Sequence, residues 1–224
     1  MKRVLVMSPH ADDETLGMGG TISRLVDEGC AVTVAVLTGP GTEPHPLFPS
    51  SSWETVRAEA KRAFEILGVN SYRFYNLPAV LVPNMPVHEV NRLVRDCIEE
   101  FKPEALYLPF LWDLHLDHRS IFYASIVGSR PCSELGRSIR QIYAYETMSE
   151  THWAPLEPPF TPNHFVDISD YLDRKLEALA CYESQIRPAP DARSLDVIQA
   201  LAKWRGGLVG CFASEAFMLV RELY

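Results

Sequence analysis

Short apolar runs alternate along the chain with segments whose apolar residues recur at helical spacing. The stretches "KRVLVMS" and "AVTVAVLT" are continuous apolar runs rich in β-branched residues, as buried strands are. Between them, "TLGMGGTISRLVDEG" carries Leu16, Ile22, Leu25 and Val26 at near-helical spacing and closes on Gly29, predicting a β-α-β unit. The turn formers of "GPGTEPHPLFPSSS" predict a loop. A helix follows over "WETVRAEAKRAFEILG", with Trp53, Val56, Ala60, Ala63, Phe64 and Leu67 on one face, Ser52 as N-cap and Gly68 as the stop.

The alternation continues through strand "YRFYNL", helix "VHEVNRLVRDCIEEF", strand "ALYLPF", loop "LWDLHLD", helix "HRSIFYASIVG" and strand "IRQIYAYE". Repeated βα units predict a single α/β domain spanning 1–224. Its expected form is a doubly wound, Rossmann-like, mostly parallel sheet with helices on both faces. Proline makes "THWAPLEPPFTPN" a loop, while "SDYLDRKLEALACYESQ" and "ARSLDVIQALAKWRGG" predict helices; the C-terminal "AFMLVRELY" suits strand or helix.

Composition narrows the function. With 224 residues, 47% of them hydrophobic, the chain can bury one sizeable core. A net charge of −8 argues against a nucleic-acid partner and favours a small-molecule substrate. No apolar run approaches the roughly 18–20 residues of a membrane span, and "MKRVLVMSPH" meets charge too early for a secretory leader, so a cytoplasmic protein with no membrane partner is expected. The five cysteines are scattered, without paired short spacings, and read as reduced thiols rather than metal ligands.

Two clusters of metal-competent residues sit at strand ends: His10, Asp12, Asp13 and Glu14 after the first strand, and His115, Asp117 and His118 after "ALYLPF". Alone, the first could complement a helix dipole and the second could be a solvated turn. In a doubly wound sheet, ligands bind beyond the carboxyl ends of the strands, where this fold would bring both clusters together. One histidine and one carboxylate from the first cluster plus one histidine from the second make a catalytic cation site with open positions, and the adjacent aspartate is left free as a base. A dinucleotide site on "LGMGGTI" is excluded, because "PHADDE" occupies the turn where its glycines belong. Two histidines and a carboxylate also describe non-haem iron(II) oxygenases, but the spare aspartate suits hydrolysis better. A non-catalytic metal-binding member of the fold is disfavoured by the intact Asp12.

With "PHADDE" near its start and "HLDH" near its middle, the sequence resembles the LmbE-like (PIG-L) N-deacetylases, and the resemblance runs on through "VRAEAKRAFEILGV", "FVDISDYLDRKLEALACYESQ" and "RGGLVGCFASEAF". The resemblance implies a zinc enzyme, with another divalent metal such as iron(II) possible. The implied zinc ligands are His10, Asp13 and His118, with Asp12 as general base, His115 as oxyanion stabiliser, Asp117 orienting His115 and Arg57 binding substrate. It implies release of acetate from an N-acetylglucosamine-type substrate, or else hydrolysis of a non-sugar amide; a homo-oligomer is expected. His115, placed near Asp117, is expected to carry a raised pKa and to act as a cation. His45, His88, His152 and His164 are expected to be surface or structural, with a substrate-facing role open for His45. Trp112, Trp153 and Phe160 are expected to serve packing, or else to line a sugar pocket.

Overall fold

The computed structural model describes residues 2–41, 44–153 and 156–224. Its centre is a strand, β1 (Arg3–Ser8), whose Val4 and Val6 join one apolar cluster while Leu5 and Met7 join another. This two-residue alternation inside a continuous apolar run means that both faces of the strand are buried. On the Val4 face lie α1 (Asp13–Asp27), α2 (Ser50–Leu67), α6 (Leu172–Ala180) and α7 (Leu195–Val209). On the Leu5 face lie α3 (Val87–Phe101) and α4 (Leu116–Gly128).

The remaining strands are β2 (Ala31–Gly39), β3 (Ser71–Pro78), β4 (Ala105–Pro109), β5 (Gln141–Tyr145), β6 (His164–Asp167) and β7 (Ser214–Glu222), and the seven strands run in the order β3-β2-β1-β4-β5-β7-β6. The first five pair in parallel; β7 enters antiparallel between β5 and β6. The expected doubly wound α/β domain is therefore present. The chain winds from β1 out to β3 and then returns to place β4 on β1's other side, so the carboxyl ends of β1 and β4 form the topological switch point.

Two local readings need correction and one left open is settled. Strand β6 and the short helix α5 (Glu134–Ser138) lie in stretches too brief to show a period. The C-terminal run, open between helix and strand, is β7 because the edge of β5 offers it a ladder. Helix α2 starts at Ser50 after Pro49, which places Ser52 inside the first turn, its N–H donating to the Pro49 carbonyl, and not at the cap. Of the predicted "GPGTEPHPLFPSSS" loop, Gly39 closes β2 and Ser50–Ser52 open α2, and the rest is loop where described, as is "THWAPLEPPFTPN"; Thr42, Glu43, Ala154 and Pro155 lie outside the described residues.

The glycines of "LGMGGTI" serve packing. Gly17 abuts the Tyr145 ring, and a Cβ on Gly20 would stand 2.8 Å from Ile168 Cδ1, so bare backbone lets α1 press against the sheet and its neighbour. Helix α1 also kinks at Met18 (φ −150°), and the freed N–H groups of Gly20 and Thr21 donate to the Glu215 carboxylate at 3.0 and 2.6 Å.

Candidate active site

The turn leaving β1 is built around a buried carboxylate. Glu14 Oε2 accepts from the Asp12 N–H at 3.3 Å and lies 2.7 Å from the Ser8 hydroxyl, while Oε1 accepts from Tyr182 at 2.5 Å and Thr15 at 2.7 Å. Glu14 thereby fixes the turn from beneath. Its neighbour Asp12 adopts φ 136°, a conformation unfavourable for a side-chain-bearing residue and of the kind that persists where surrounding structure enforces it.

Around this turn, the two sequence clusters meet. Asp13 Oδ2 lies 3.1 Å from His10 Nδ1 and 3.1 Å from His118 Nε2. Candidate ligand atoms of His10, Asp13 and His118 all fall within 4.8 Å of one another, and a second such grouping joins His10, His115 and Asp117. Buried Asp13 Oδ1 and His118 Nε2 have no aligned hydrogen-bond partner, and buried polar atoms are rarely left so. The imidazole nitrogens facing away from Asp13 are braced: His10 Nε2 by Asp117 Oδ2 at 3.0 Å, and His118 Nδ1 by Asp113 Oδ2 at 2.7 Å. Carboxylates holding the outer nitrogens of two histidines are the usual support of a metal site. Three carboxylates contact these two imidazoles, an excess of negative charge that suits a divalent cation. The donor set of two imidazole nitrogens and one carboxylate oxygen matches zinc.

The carboxylates and imidazoles tune one another. Burial works against charge on His10, but Asp117 and Asp13 outweigh it and lift the imidazole to about 9. Burial likewise opposes charge on Asp13 and His118, yet their mutual attraction, with help from His10 and Asp113, holds Asp13 well below and His118 well above their ordinary values. Asp12 behaves differently. Burial pushes its carboxyl up to about 7, against the pull of Arg193, whose guanidinium stands 3.0 Å from Oδ2.

His115 departs from expectation. Burial and the neighbouring His10 depress its imidazole to about 4, and Asp117 does not reverse this. The Asp117 carboxylate is 4.0 Å from His115 Nδ1 because it is engaged elsewhere, with His10 and with the N–H groups of Val80 and Val82 at 2.6 and 3.2 Å. His115 Nδ1 instead accepts from the Asp117 backbone N–H at 3.2 Å. The expected charged His115 oriented by the Asp117 carboxylate is thus replaced by a neutral imidazole held by the backbone, which leaves the proton on Nε2.

Above these residues opens a pocket of about 250 Å³, with His10, Asp12 and His115 in its lining, Phe48, Trp53 and Arg57 on the α2 side, and Gln185 and Arg193 opposite. Arg57 reaches the pocket by donating to the Tyr75 carbonyl at 2.8 Å and to Asn76 Oδ1 at 2.7 Å. The aromatic wall is Phe48 and Trp53, backed by His45, which packs on both rings and lies 2.8 Å from the Ala79 carbonyl oxygen. Trp112 and Phe160 lie elsewhere, against Arg119 and Phe110 respectively, and Trp153 is 62% exposed. His152 sits 3.2 Å from Glu146, and His164 packs on Tyr143.

Asp113 and Arg193 escaped the sequence reading. Asp113 sits in the quoted "LWDLHLD" loop, but only the loop's fold brings it to His118. Arg193 lies 181 residues from Asp12, with no motif around it.

A cluster of imidazoles and carboxylates able to hold a cation, with a separate buried carboxylate beside it at a switch point, defines a metal-dependent hydrolase of the doubly wound α/β class. The chain belongs to the PIG-L family, whose model, described as GlcNAc-PI de-N-acetylase, matches residues 5–127. It is 30% identical over 205 residues to the diacetylchitobiose deacetylase of Thermococcus kodakarensis, covering 83% of this chain and 70% of that one. The crystallised N,N′-diacetylchitobiose deacetylase of Pyrococcus horikoshii shares the fold with a TM-score of 0.74 at 23% identity, over 98% of this chain and 84% of that one. The fold is also that of GalB, the 4-carboxy-2-hydroxymuconate hydratase of Pseudomonas putida, with a TM-score of 0.77 at 20% identity over 100% of this chain and 98% of that one. Architecture alone therefore does not choose the reaction.

Proposed function

We propose that the protein is a zinc-dependent N-deacetylase that adds water across the acetamide C–N bond of an N-acetylglucosamine-type sugar or conjugate, releasing acetate and the free amine. The observation that carries this reading is the position of Asp12: buried, in the pocket lining, and outside the His10–Asp13–His118 cluster that its neighbour completes. A zinc ion held by His10, Asp13 and His118 would supply Lewis acidity at the amide carbonyl and make water acidic enough to attack near neutral pH.

Asp12 takes a proton from the attacking water and later delivers one to the departing amine nitrogen; a carboxyl near 7 is matched to both transfers. Neutral His115 donates its Nε2–H to the carbonyl oxygen as negative charge gathers there. Arg57, in the pocket with its guanidinium anchored on Tyr75 and Asn76, holds the sugar. Asp117 and Asp113 keep the two cation-facing imidazoles in place.

Among the described residues, no helix is long and apolar enough to cross a membrane. The five free cysteines, Cys132 exposed among them, suit a reducing cytoplasm. Exposed Trp204, Leu208 and Phe212, on α7 and just beyond it, support the homo-oligomer reading.

The test is acetate release by zinc-loaded protein from N-acetylglucosamine and N,N′-diacetylchitobiose, with N-acetyl amino acids as the non-sugar comparison and oxygen uptake by the iron(II) form as the oxygenase comparison. Acetate from the sugars alone is expected, and Asp12→Asn should lower the rate about 100- to 10,000-fold while keeping stoichiometric zinc. Full turnover by that variant would overturn the assignment.

A further inference from the structure

The buried carboxylate of Asp12 poses a problem of placement. Asp12, Asp13 and Glu14 are consecutive, and all three are buried. A divalent cation in the His10–Asp13–His118 cluster attracts the Asp12 carboxylate as well as that of Asp13, and a carboxylate bound to the cation is no longer free to take a proton from water. The turn at Asp12 (φ 136°) sets the direction in which the side chain leaves the backbone, but rotation about χ1 still has to be fixed by something the carboxylate touches.

Arg193 supplies the hold. Its Nη1 donates to Asp12 Oδ2 at 3.0 Å, whereas among the described residues no hydrogen bond engages Oδ1. One oxygen is tethered and the other is left for water, in a side chain that lines the pocket. The guanidinium is itself fixed on its other sides: Nε donates to Ser149 Oγ at 3.2 Å, Nη1 also to Gln185 Oε1 at 3.4 Å, and Nη2 stands 3.8 Å from Glu150 Oε1. The backbone beneath it is fixed too. The Arg193 N–H donates to Asp191 Oδ1 at 2.8 Å, and the next residue, Ser194, caps α7 by accepting from the Val197 N–H at 3.2 Å. A planar guanidinium braced in this way holds an oxygen in a set direction, which a flexible ammonium does not.

We propose that Arg193 is the positioning residue of the general base: it tethers Asp12 through Oδ2 and keeps the carboxylate out of the cation cluster. Because Asp12 is the base only on the deacetylase reading, the tether rests on that reading. In this role Arg193 acts through Asp12 and not on the substrate.

Loss of the tether moves two quantities in opposite directions. Arg193→Met should lower kcat about 100-fold, the loss typical of a reacting group misplaced by about 1 Å, with KM little changed. Zinc affinity should rise, because the substitution removes a positive charge beside the cation and frees a carboxylate to turn toward it. Arg193→Lys keeps the charge without the planar fork, so it should hold zinc as the parent does and fall between the two in kcat.

The experiment measures acetate release from N-acetylglucosamine for kcat and KM, competition with a chromophoric chelator for zinc affinity, and thermal melting for the fold. Arg193→Met is also placed on Asp12→Asn, where it should add little to the loss of turnover and raise zinc affinity less than in the parent. Parental kcat in Arg193→Met, a full further loss on Asp12→Asn, or zinc affinity that falls together with kcat would each overturn the tether, the last marking Arg193 as a residue of the fold. A parent protein that released no acetate would overturn the deacetylase reading, and the zinc titrations would then decide the tether alone. A rise in affinity that is larger with Asp12 than without it upholds the tether; an equal rise, or none, overturns it.

Discussion

Asp113→Ala tests whether the outer carboxylates hold the cation site together. Asp113 and His118 are both fully buried, 2.7 Å apart, and the other Asp113 oxygen accepts from the Thr151 hydroxyl at 2.6 Å. Truncation leaves a buried imidazole N–H and a buried hydroxyl without their acceptor, and removing one partner of a buried charged pair costs about 3–5 kcal/mol of stability. Only part of that cost appears in metal affinity, because His118 loses its brace with or without the cation. Outer-sphere losses of this kind weaken metal binding about 10- to 100-fold, equivalent to about 1.4–2.7 kcal/mol. Competition for zinc against a chromophoric chelator measures the affinity, and thermal melting measures the stability. Asp113→Asn keeps an oxygen acceptor at nearly constant volume, so it should melt close to the parent and lie at the weak end of the affinity loss. His118→Ala marks the floor, with zinc lost on dialysis against a mild chelator. Parental zinc affinity in both Asp113 variants would refute the bracing role and leave the 2.7 Å contact as a fold interaction only.

His115→Ala should lower the maximal rate by about two to three orders of magnitude while zinc stays bound, the loss typical of a single oxyanion donor. Because His115 is held near 4, it is already neutral above about pH 5, so both limbs of the pH–rate profile should stay in place; loss of the basic limb would restore a cationic donor. Far from the pocket floor, Glu146 tests acid stability. Burial favours its neutral form, but His152 and the bidentate Arg205, at 2.9 and 2.7 Å, outweigh burial and depress its pKa. A depressed carboxyl stabilises the fold above the unfolded value of about 4.3, and that stabilisation is lost as pH falls through the lower folded value. Glu146→Gln should therefore be less stable at pH 7 but lose less stability below pH 4.5 than the parent; parallel denaturation curves across that window would count against the ion pair.

The strands and helices around the site were legible because their burial imposes a period. Continuous apolar β1 and β2 could only be central strands, and the 15-residue α3 matches its predicted span residue for residue. The strand-end positions of "PHADDE" and "HLDH" put His10, Asp12, Asp13, Asp117 and His118 at the carboxyl ends of strands in one sheet. Whatever depended on distance in space was not legible. His115 and Asp117 are two residues apart, yet the carboxylate turns toward His10 and the N–H groups of Val80 and Val82, because a helix N-terminus points consecutive side chains in different directions. The aromatic wall falls to Phe48, just before α2, and Trp53, in its first turn, which tertiary packing brings to the pocket. Arg193 reaches Asp12 across 181 residues by virtue of the path from α6 to α7. Periodicity records which face of an element is buried, and so the pattern along the chain encodes the layers and the strand ends where the chemistry gathers. The partner each charged group takes is a matter of a few ångströms between distant segments, which no local pattern encodes and only the packed fold fixes.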